Sequence, residues 1–369
     1  MDRSHDPSRT RGAPAPRRVP RAAARGRRTR IINAVAPIRI CDLGGWTDTW
    51  FAEHGVVLNI GVYPFVQCQM AVTPSRQRGT CLTINAENYS DRYVIDPENV
   101  VYARHPLLEA CVDAMHIPSG LDIEVTLYSS VPGGSSTGTS AAVAVALIGA
   151  LDLLTPGRLT LYEVAAKAHE VETHYLKLQC GIQDQLCAAY GGISYIQMTH
   201  YPDASVSPIP IPNGLWWELE SRLSLVYLGR AHKSSDVHRM VIDELERAGA
   251  SGAKIDALRQ PPIAGRDALF AGDLDAFGRA MIANSEAQIG LHPALASDRH
   301  RAVIDMARRH RAIGWKINGA GGDGGSVTIL GGRSRPEQRR MLQEIETIGD
   351  GVQVIPIYLS RFGLRVWES

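Results

Sequence analysis

The stretch from Leu121 to Leu154 limits what this chain can fold into more than any other. Leu121, Ile123, Val125 and Leu127 alternate with polar residues, the period of a half-buried strand. That strand runs straight into Val131-Pro-Gly-Gly-Ser-Ser-Thr-Gly-Thr-Ser140, and Ala141 to Leu154 follows as an Ala/Val/Leu run, apolar nearly all round, which predicts a buried helix. Strand, small-residue loop and buried helix is the order that builds a phosphate site. Gly133, Gly134, Ser135, Ser136, Thr137, Gly138, Thr139 and Ser140 let backbone N–H groups approach an anion, and the helix start aims unpaired donors and a positive dipole end at it. The loop is not a Walker A loop, because no Gly-Lys-Ser/Thr closes it, and it lacks the dinucleotide G-x-G-x-x-G spacing. Gly/Ser-rich turns before helices are often only turns, so the loop alone leaves both readings open.

Around it the chain reads as interleaved strands and helices. Arg30 to Asp48 is a strand-like run broken by Gly44 and Gly45; Val56 to Val72 is a second β-rich stretch. Leu161 to Leu178 has helical spacing and carries Glu163, Glu170 and Glu172, and Gly181 suits a turn before another short apolar helix. Beyond a proline-rich stretch, Tyr201 to Asn213, the spacing predicts a strand at Leu223 to Leu228 and helices at Ser235 to Ala248, Leu274 to Ile289 and Arg301 to Ile313. A strand at Ser326 to Leu330, a helix near Pro336 to Thr347 and a strand at Val352 to Leu359 complete the pattern. Strands interleaved with helices in both halves predict a two-domain α+β protein, with residues 30–205 and 206–369 as the domains.

Phosphoryl transfer requires charge on the phosphates to be neutralised, usually by Mg²⁺ on hard oxygen ligands, and the acceptor hydroxyl to be oriented or deprotonated. A carboxylate is expected for each task. Glu172 and Asp184, twelve residues apart, are the pair that can converge on the loop. Solvated helix glutamates are commonplace, so Glu170 stays open as the alternative ligand; Asp184, between Gln183 and Gln185 in a Gly-flanked turn, is harder to dismiss.

Three segments resemble the GHMP kinases. Pro132 to Ala142 is similar to their phosphate loop, Pro-x-x-x-Gly-Leu-Gly-Ser-Ser-x-Ala, with Ser136 in place of its first Gly and Thr137 in place of its Leu. Ala36 to Asp48 resembles the first signature, with Arg39 and Asp48 nine residues apart as in the family, and Lys316-Ile-Asn-Gly-Ala-Gly-Gly-Asp-Gly-Gly325 resembles the third, with Asp323 as an insertion. Gly181-Ile-Gln-Asp-Gln185 looks like the segment that carries the catalytic Asp in galactokinases and heptose phosphate kinases. The Gly-Gly-x-Thr-Asp form is closer to heptose 7-phosphate kinases and the kinase half of fucokinases, and Gly45 and Trp46 stand where galactokinases have Glu and His, which points away from galactose.

The resemblance implies an N-terminal S5 domain 2-like mixed α/β domain and a C-terminal ferredoxin-like domain, with the active site between them. It implies ATP on Gly133 to Ser140, Mg²⁺ on Ser140 and Glu172, and catalysis by Asp184 and Arg39. It further implies a sugar or sugar phosphate held by Asp48, Gly45, Trp46 and Gly321, with the anomeric hydroxyl of a heptose 7-phosphate-like acceptor leading and fucose-type or uronate sugars behind. A non-catalytic sugar and ATP sensor on the same scaffold, and a diphosphomevalonate decarboxylase-like lyase, are the rivals. Arg230, His232, Lys233, Ser234 and Ser235 either bind a substrate phosphate or are a helix cap with solvated cations.

Composition sets the remaining limits. The first thirty residues carry ten Arg and two acids, so a segment of +8 precedes a remainder of −7. With little apolar surface to offset ordering entropy, residues 1–29 are expected to be a disordered, dispensable leader, and no nucleic-acid role is assigned to them. No apolar run reaches the ~18 residues of a membrane span and no secretory segment follows the leader, so a cytoplasmic protein without a membrane partner is expected. The six cysteines lack a C-x-x-C pair and read as reduced core thiols. A homodimer is left open.

Overall fold

The structure, a computed structural model, describes residues 29–75, 79–230, 239–243 and 251–369. The Arg-rich leader up to residue 28 and the cluster around His232 to Ser235 lie outside the described residues. Of the expected helix Ser235 to Ala248, residues 239–243 are described and are helical.

Strand β1 (Arg30–Leu43) pairs antiparallel with the long β2 (Gly55–Pro74), from Arg30 opposite Val72 to Leu43 opposite Leu58. From Ala36 to Leu43 every residue of β1 is buried: β2 pairs along one edge, helices pack against the strand, and on the other edge, past the end of its pairing with the C-terminal strand at Val35, the backbone N–H groups of Arg39 and Cys41 are taken by Thr137 O and Asn318 Oδ1. The other strands of this sheet are β3 (Cys81–Ala86), β4 (Asp91–Ile95), β5 (Leu121–Ser129), β6 (Ile193–His200) and β7 (Asp203–Pro208). They arrange as β1-β2-β5-β3-β4, with β6 also on β2 and β7 on β6; β3 and β5 are parallel, which makes the sheet mixed. Strand β2 serves two neighbours in turn: Gly55 to Ile60 pairs with β6 and Val66 to Pro74 with β5.

Helices α1 (Pro106–Asp113), α2 (Thr139–Asp152), α3 (Leu161–Glu170) and α4 (Gln183–Tyr190) pack with this sheet. Helix α2 buries almost all of its length, as its uniform apolar sequence requires. The helix expected to reach Leu178 instead ends α3 at Glu170 and continues as a single π-helical turn, Val171–Tyr175. Such a turn inserts an extra residue into the ladder and re-aims the side chains around it.

After α5 (Asn213–Arg222), strands β8 (Leu223–Leu228), β9 (Gly314–Ile317), β10 (Ser326–Leu330) and β11 (Val352–Ile355) form a second, antiparallel sheet in the order β11-β8-β10-β9. By position in the chain this is the 4-1-3-2 order of a ferredoxin-like sheet. Helices α6 (Ser251–Ala271), α7 (Leu274–Leu291) and α8 (Asp298–Arg309) lie between β8 and β9, and α9 (Arg335–Ile345) lies between β10 and β11. The sequence gives no sign of α6, because Pro261 and Pro262 interrupt it. An interior proline costs about 3 kcal/mol, offset here by burying both rings together with Ile255, Leu258 and Leu269 against the neighbouring helix and the first sheet.

The strand expected over Val352 to Leu359 divides. Val352–Ile355 stays in the second sheet, whereas β12 (Tyr358–Leu359) and β13 (Arg365–Glu368) return to the first, on β2 and β1. The proline-rich stretch expected to separate the halves contains β7. The six cysteines are free, but Cys81 is exposed and Cys180 half-buried, so only Cys41, Cys68, Cys111 and Cys187 are core thiols. Among the described residues no helix is long and apolar enough to cross a membrane.

Candidate active site

The loop between β5 and α2 is held by its carbonyls. Ser135 O accepts from Ser326 Oγ at 2.6 Å, Ser136 O from Arg39 Nη1, and Thr137 O from the Arg39 backbone N–H at 2.9 Å. A trans peptide points its N–H opposite its C=O, so these three anchors direct the N–H groups of Ser136, Thr137 and Gly138 to the other side. Gly134 (φ 72°), Ser136 (φ 59°) and Gly138 (φ 67°) are all left-handed. This backbone bends into an anion-binding concavity at the N-terminus of α2, which begins at Thr139.

Gly138 is where loop and carboxylate meet. A Cβ there would lie 3.1 Å from Asp184 Cγ and 3.2 Å from Asp184 Oδ2. Asp184 sits in the first turn of α4 and is gripped by Arg39 through two bonds, Nε to Oδ1 at 2.8 Å and Nη2 to Oδ2 at 3.2 Å. Arg39 is buried; burial works against its charge, but Asp184 and Asp42 outweigh that and hold its pKa above the ordinary value.

These groups line a cleft of about 420 Å³ together with Asp42, Trp46, Asp48, Gly134 to Ala141, Glu172, Cys180, Gln185 and Gly319. The three glutamates of the third helix separate cleanly. Glu163 caps α3 by accepting from Thr160, and Glu170 pairs with Lys167 at 2.7 Å and is not a cleft residue. Glu172, inside the π-helical turn, is buried in the cleft wall, where Gln185 Nε2 donates to its Oε2 at 3.2 Å. Burial pushes its pKa up to about 7, and the Asp184 charge adds to the rise. Its Oε1 is buried with no hydrogen-bond partner among the described residues.

That orphaned oxygen and the exposed Ser140 hydroxyl, both on the cleft, are hard donors of the kind Mg²⁺ takes. Among the described residues no group of three or more His, Cys, Asp or Glu side chains could hold a metal by itself. A divalent ion here would therefore draw its remaining ligands from phosphate and water.

Asp48 lies at the cleft but is buried. It accepts from the Gln183 backbone N–H at 3.0 Å and Gln183 Nε2 at 3.4 Å, bracing the turn that carries Asp184, and burial raises its pKa to about 6. Gly181 fits only because it has no side chain, since a Cβ would stand 1.9 Å from Asp48 Oδ2. Trp46, left-handed at φ 81°, packs with Phe51, Ile255, Leu258, Leu291, Leu295 and Ala320 and forms the apolar wall. The remaining candidates lie off the cleft. Gly133 faces the adjoining hollow, Gly45 abuts the Asp42 carboxylate, and Gly321 is turned against the Leu295 backbone. Asp323, the inserted residue, is exposed and pairs with Arg230 at 3.0 Å.

Two residues in the signature segments were given no role by the sequence reading: Asp42 on the cleft and Lys316 behind it. Asp42 accepts from the Gly319 N–H at 3.0 Å and lies 3.4 Å from Lys316 Nζ, both side chains wholly buried. The available signal was a charged residue inside an otherwise apolar strand, which must find a partner when buried.

Comparisons with known proteins bear on the family and the fold. The profile described as GHMP kinases N terminal domain matches residues 101–192, the interval holding the loop, Glu172 and Asp184. The chain is 26% identical over 304 residues to the D-glycero-alpha-D-manno-heptose 7-phosphate kinase of Campylobacter jejuni, covering 80% of this chain and 88% of that protein. It is 30% identical over 273 residues to the mevalonate kinase of Pyrococcus horikoshii, covering 73% of this chain and 76% of that one. The crystal structure of a D-glycero-D-manno-heptose 1-phosphate kinase from Bacteriodes thetaiotaomicron shares the fold with a TM-score of 0.69 at 21% identity, over 91% of this chain and 98% of that one. With the N-terminal profile, the shared fold and a relative of that identity across three quarters of its length in agreement, this chain belongs to the GHMP kinases and is a phosphotransferase acting on a hydroxyl group.

Proposed function

We propose that this chain transfers the γ-phosphoryl group of ATP to a hydroxyl of a sugar or sugar phosphate, with the anomeric hydroxyl of a heptose 7-phosphate-like acceptor favoured. The observation that carries the reading is the Arg39–Asp184 pair set against Gly138, which puts a carboxylate within reach of whatever anion the loop holds. The choice of acceptor rests on the heptose 7-phosphate kinase relative, matched over 88% of its length.

The nucleotide phosphates lie on Gly133 to Ser140. The base occupies the adjoining hollow of about 510 Å³, which shares Gly133, Thr139 and Ser140 with the loop and is lined by Tyr89, His105, Leu108, Leu127 and Val143. Asp184 orients or deprotonates the acceptor hydroxyl. Arg39 keeps that carboxylate aligned and stabilises charge as the phosphoryl group passes. Ser140 and Glu172 hold Mg²⁺, which supplies charge neutralisation on the phosphates. Trp46 and Asp48 bound the acceptor pocket, while Gly45 and Gly321 shape it from behind by leaving room for Asp42 and Leu295. Positioning and electrostatics account for the catalysis, as phosphoryl transfer demands.

The test is ADP release from ATP across a panel of heptose 7-phosphate, fucose, uronates, galactose and mevalonate, with Asp184→Asn as control. Turnover with a sugar and at least a ~100-fold loss in the variant are expected. Turnover with mevalonate alone would remove the sugar assignment, and parental rates in Asp184→Asn would remove the role of Asp184.

A further inference from the structure

Behind the reactive carboxylate runs a buried row of alternating charge. Arg39 spends Nε and Nη2 on Asp184 and Nη1 on Ser136 O, while the same Nη1 stands 4.0 Å from Asp42 Oδ1, an ion-pair distance and not a hydrogen bond. Asp42 is instead satisfied from its other side, by Lys316 Nζ at 3.4 Å and the Gly319 N–H at 3.0 Å. Lys316 is in turn fixed by Gln288 Oε1 at 2.9 Å and by the Ile317 carbonyl, and the Gln288 amide closes the clamp on Gly319 O at 2.8 Å.

We propose that Lys316 is a positioning residue for the transfer reaction: it occupies the Asp42 carboxylate, which would otherwise compete for the guanidinium, so that Arg39 stays committed to Asp184. The proposal rests on the role given to Asp184 above. Its physical content is a competition for one guanidinium between two carboxylates. Asp184 is partly exposed and can be solvated, whereas Asp42 is wholly buried and must find charge within the protein. Without the ammonium, the nearest cation to Asp42 is Arg39, and a small rotation of the fork turns the 4.0 Å approach into a hydrogen bond while pulling Nε and Nη2 off Asp184. Lys316 is in β9 of the second sheet, just before its Gly-rich turn, and Asp42 is in β1 of the first, so the device also ties the alignment of Asp184 to the closure of the two sheets on each other.

The proposal predicts an asymmetry that a purely structural ion pair does not produce. Lys316→Met should lower kcat by roughly 100-fold, the scale of an ångström-sized misplacement, with KM for ATP little changed. Asp42→Asn keeps an acceptor for the Gly319 N–H and leaves Arg39 on Asp184, so it should lower the melting temperature but keep kcat within about tenfold of the parent. The double variant carries neither charge and should recover to the same range, because removing both members of a buried pair is far milder than removing one. If Lys316→Met does not accumulate folded, Lys316→Gln takes its place with the same expected loss. The idea is overturned if Lys316→Met or Lys316→Gln turns over at the parental rate, or if the double variant is as slow as the single one. The two readings separate through Asp184→Asn. Parental activity in that variant removes the site assignment and this proposal with it, while an inactive Asp184→Asn beside a fully active Lys316→Met removes the positioning role alone.

Discussion

Glu172 should make the metal-free protein less stable as the pH rises, and Glu172→Gln should reverse that. Burial shifts its pKa from the ordinary 4.5 to about 7. The folded state therefore holds the proton more tightly than the unfolded chain, so the contribution of this group to stability is fully present below pH 4.5 and is lost as the pH climbs through 7. At 1.36 kcal/mol per unit, a displacement of this size corresponds to about 3 kcal/mol. Glutamine keeps the shape and an acceptor for Gln185 Nε2 but never ionises. Thermal melts of parent and variant, without divalent cations, should coincide near pH 4.5, and the variant should melt higher at pH 8. Other titrations occur in both proteins and cancel in the difference. Added Mg²⁺ with a non-hydrolysable nucleotide should close the gap by stabilising the parent alone, and turnover of the variant should lose its magnesium response. A gap that does not change between pH 5 and pH 8, or a variant less stable than the parent at pH 8, refutes the argument that burial is what strains this carboxylate.

Two further predictions concern the loop. Gly138→Ala adds a Cβ 3.1 Å from Asp184 Cγ at a left-handed position, which should cost about 1–2 kcal/mol of stability and, by shifting Asp184 by a few tenths of an ångström, lower kcat severalfold; unchanged kinetics would show that loop and carboxylate are not in contact. Ser136→Gly relieves the same left-handed strain while leaving the carbonyl that Arg39 holds, so kcat should be unchanged and stability should rise by up to about 1 kcal/mol. A drop in nucleotide affinity would instead assign the Ser136 side chain a binding role.

How much of this could be read in advance depended on sequence distance. The strand, loop and helix from Leu121 to Asp152 were legible because period and residue size act locally, and β8 and β10 fall at the expected Leu223–Leu228 and Ser326–Leu330 for the same reason. Helix α6 was hidden because a local rule, that proline breaks helices, lost to tertiary burial of both rings. Glu172 was preferred to Glu170 on the family resemblance and not on helical spacing, because two residues apart the two differ in that Glu170 ends α3 and pairs with Lys167 whereas Glu172 lies inside the π-helical turn.

The chain's sequence determined the chemistry on offer. It supplied a loop of small residues before an apolar helix, an acid pair twelve residues apart, and an arginine and a lysine in the two outer signatures. Tertiary structure alone decided which charges meet. Arg39 reaches Asp184 across 145 positions in the chain and Asp42 reaches Gly319 across 277, and burial then sets how much each contact matters. Water would screen these charges in an open chain; burial takes Arg39, Asp42 and Lys316 out of it, so solvated side chains become a ladder in which each buried ion must have its partner.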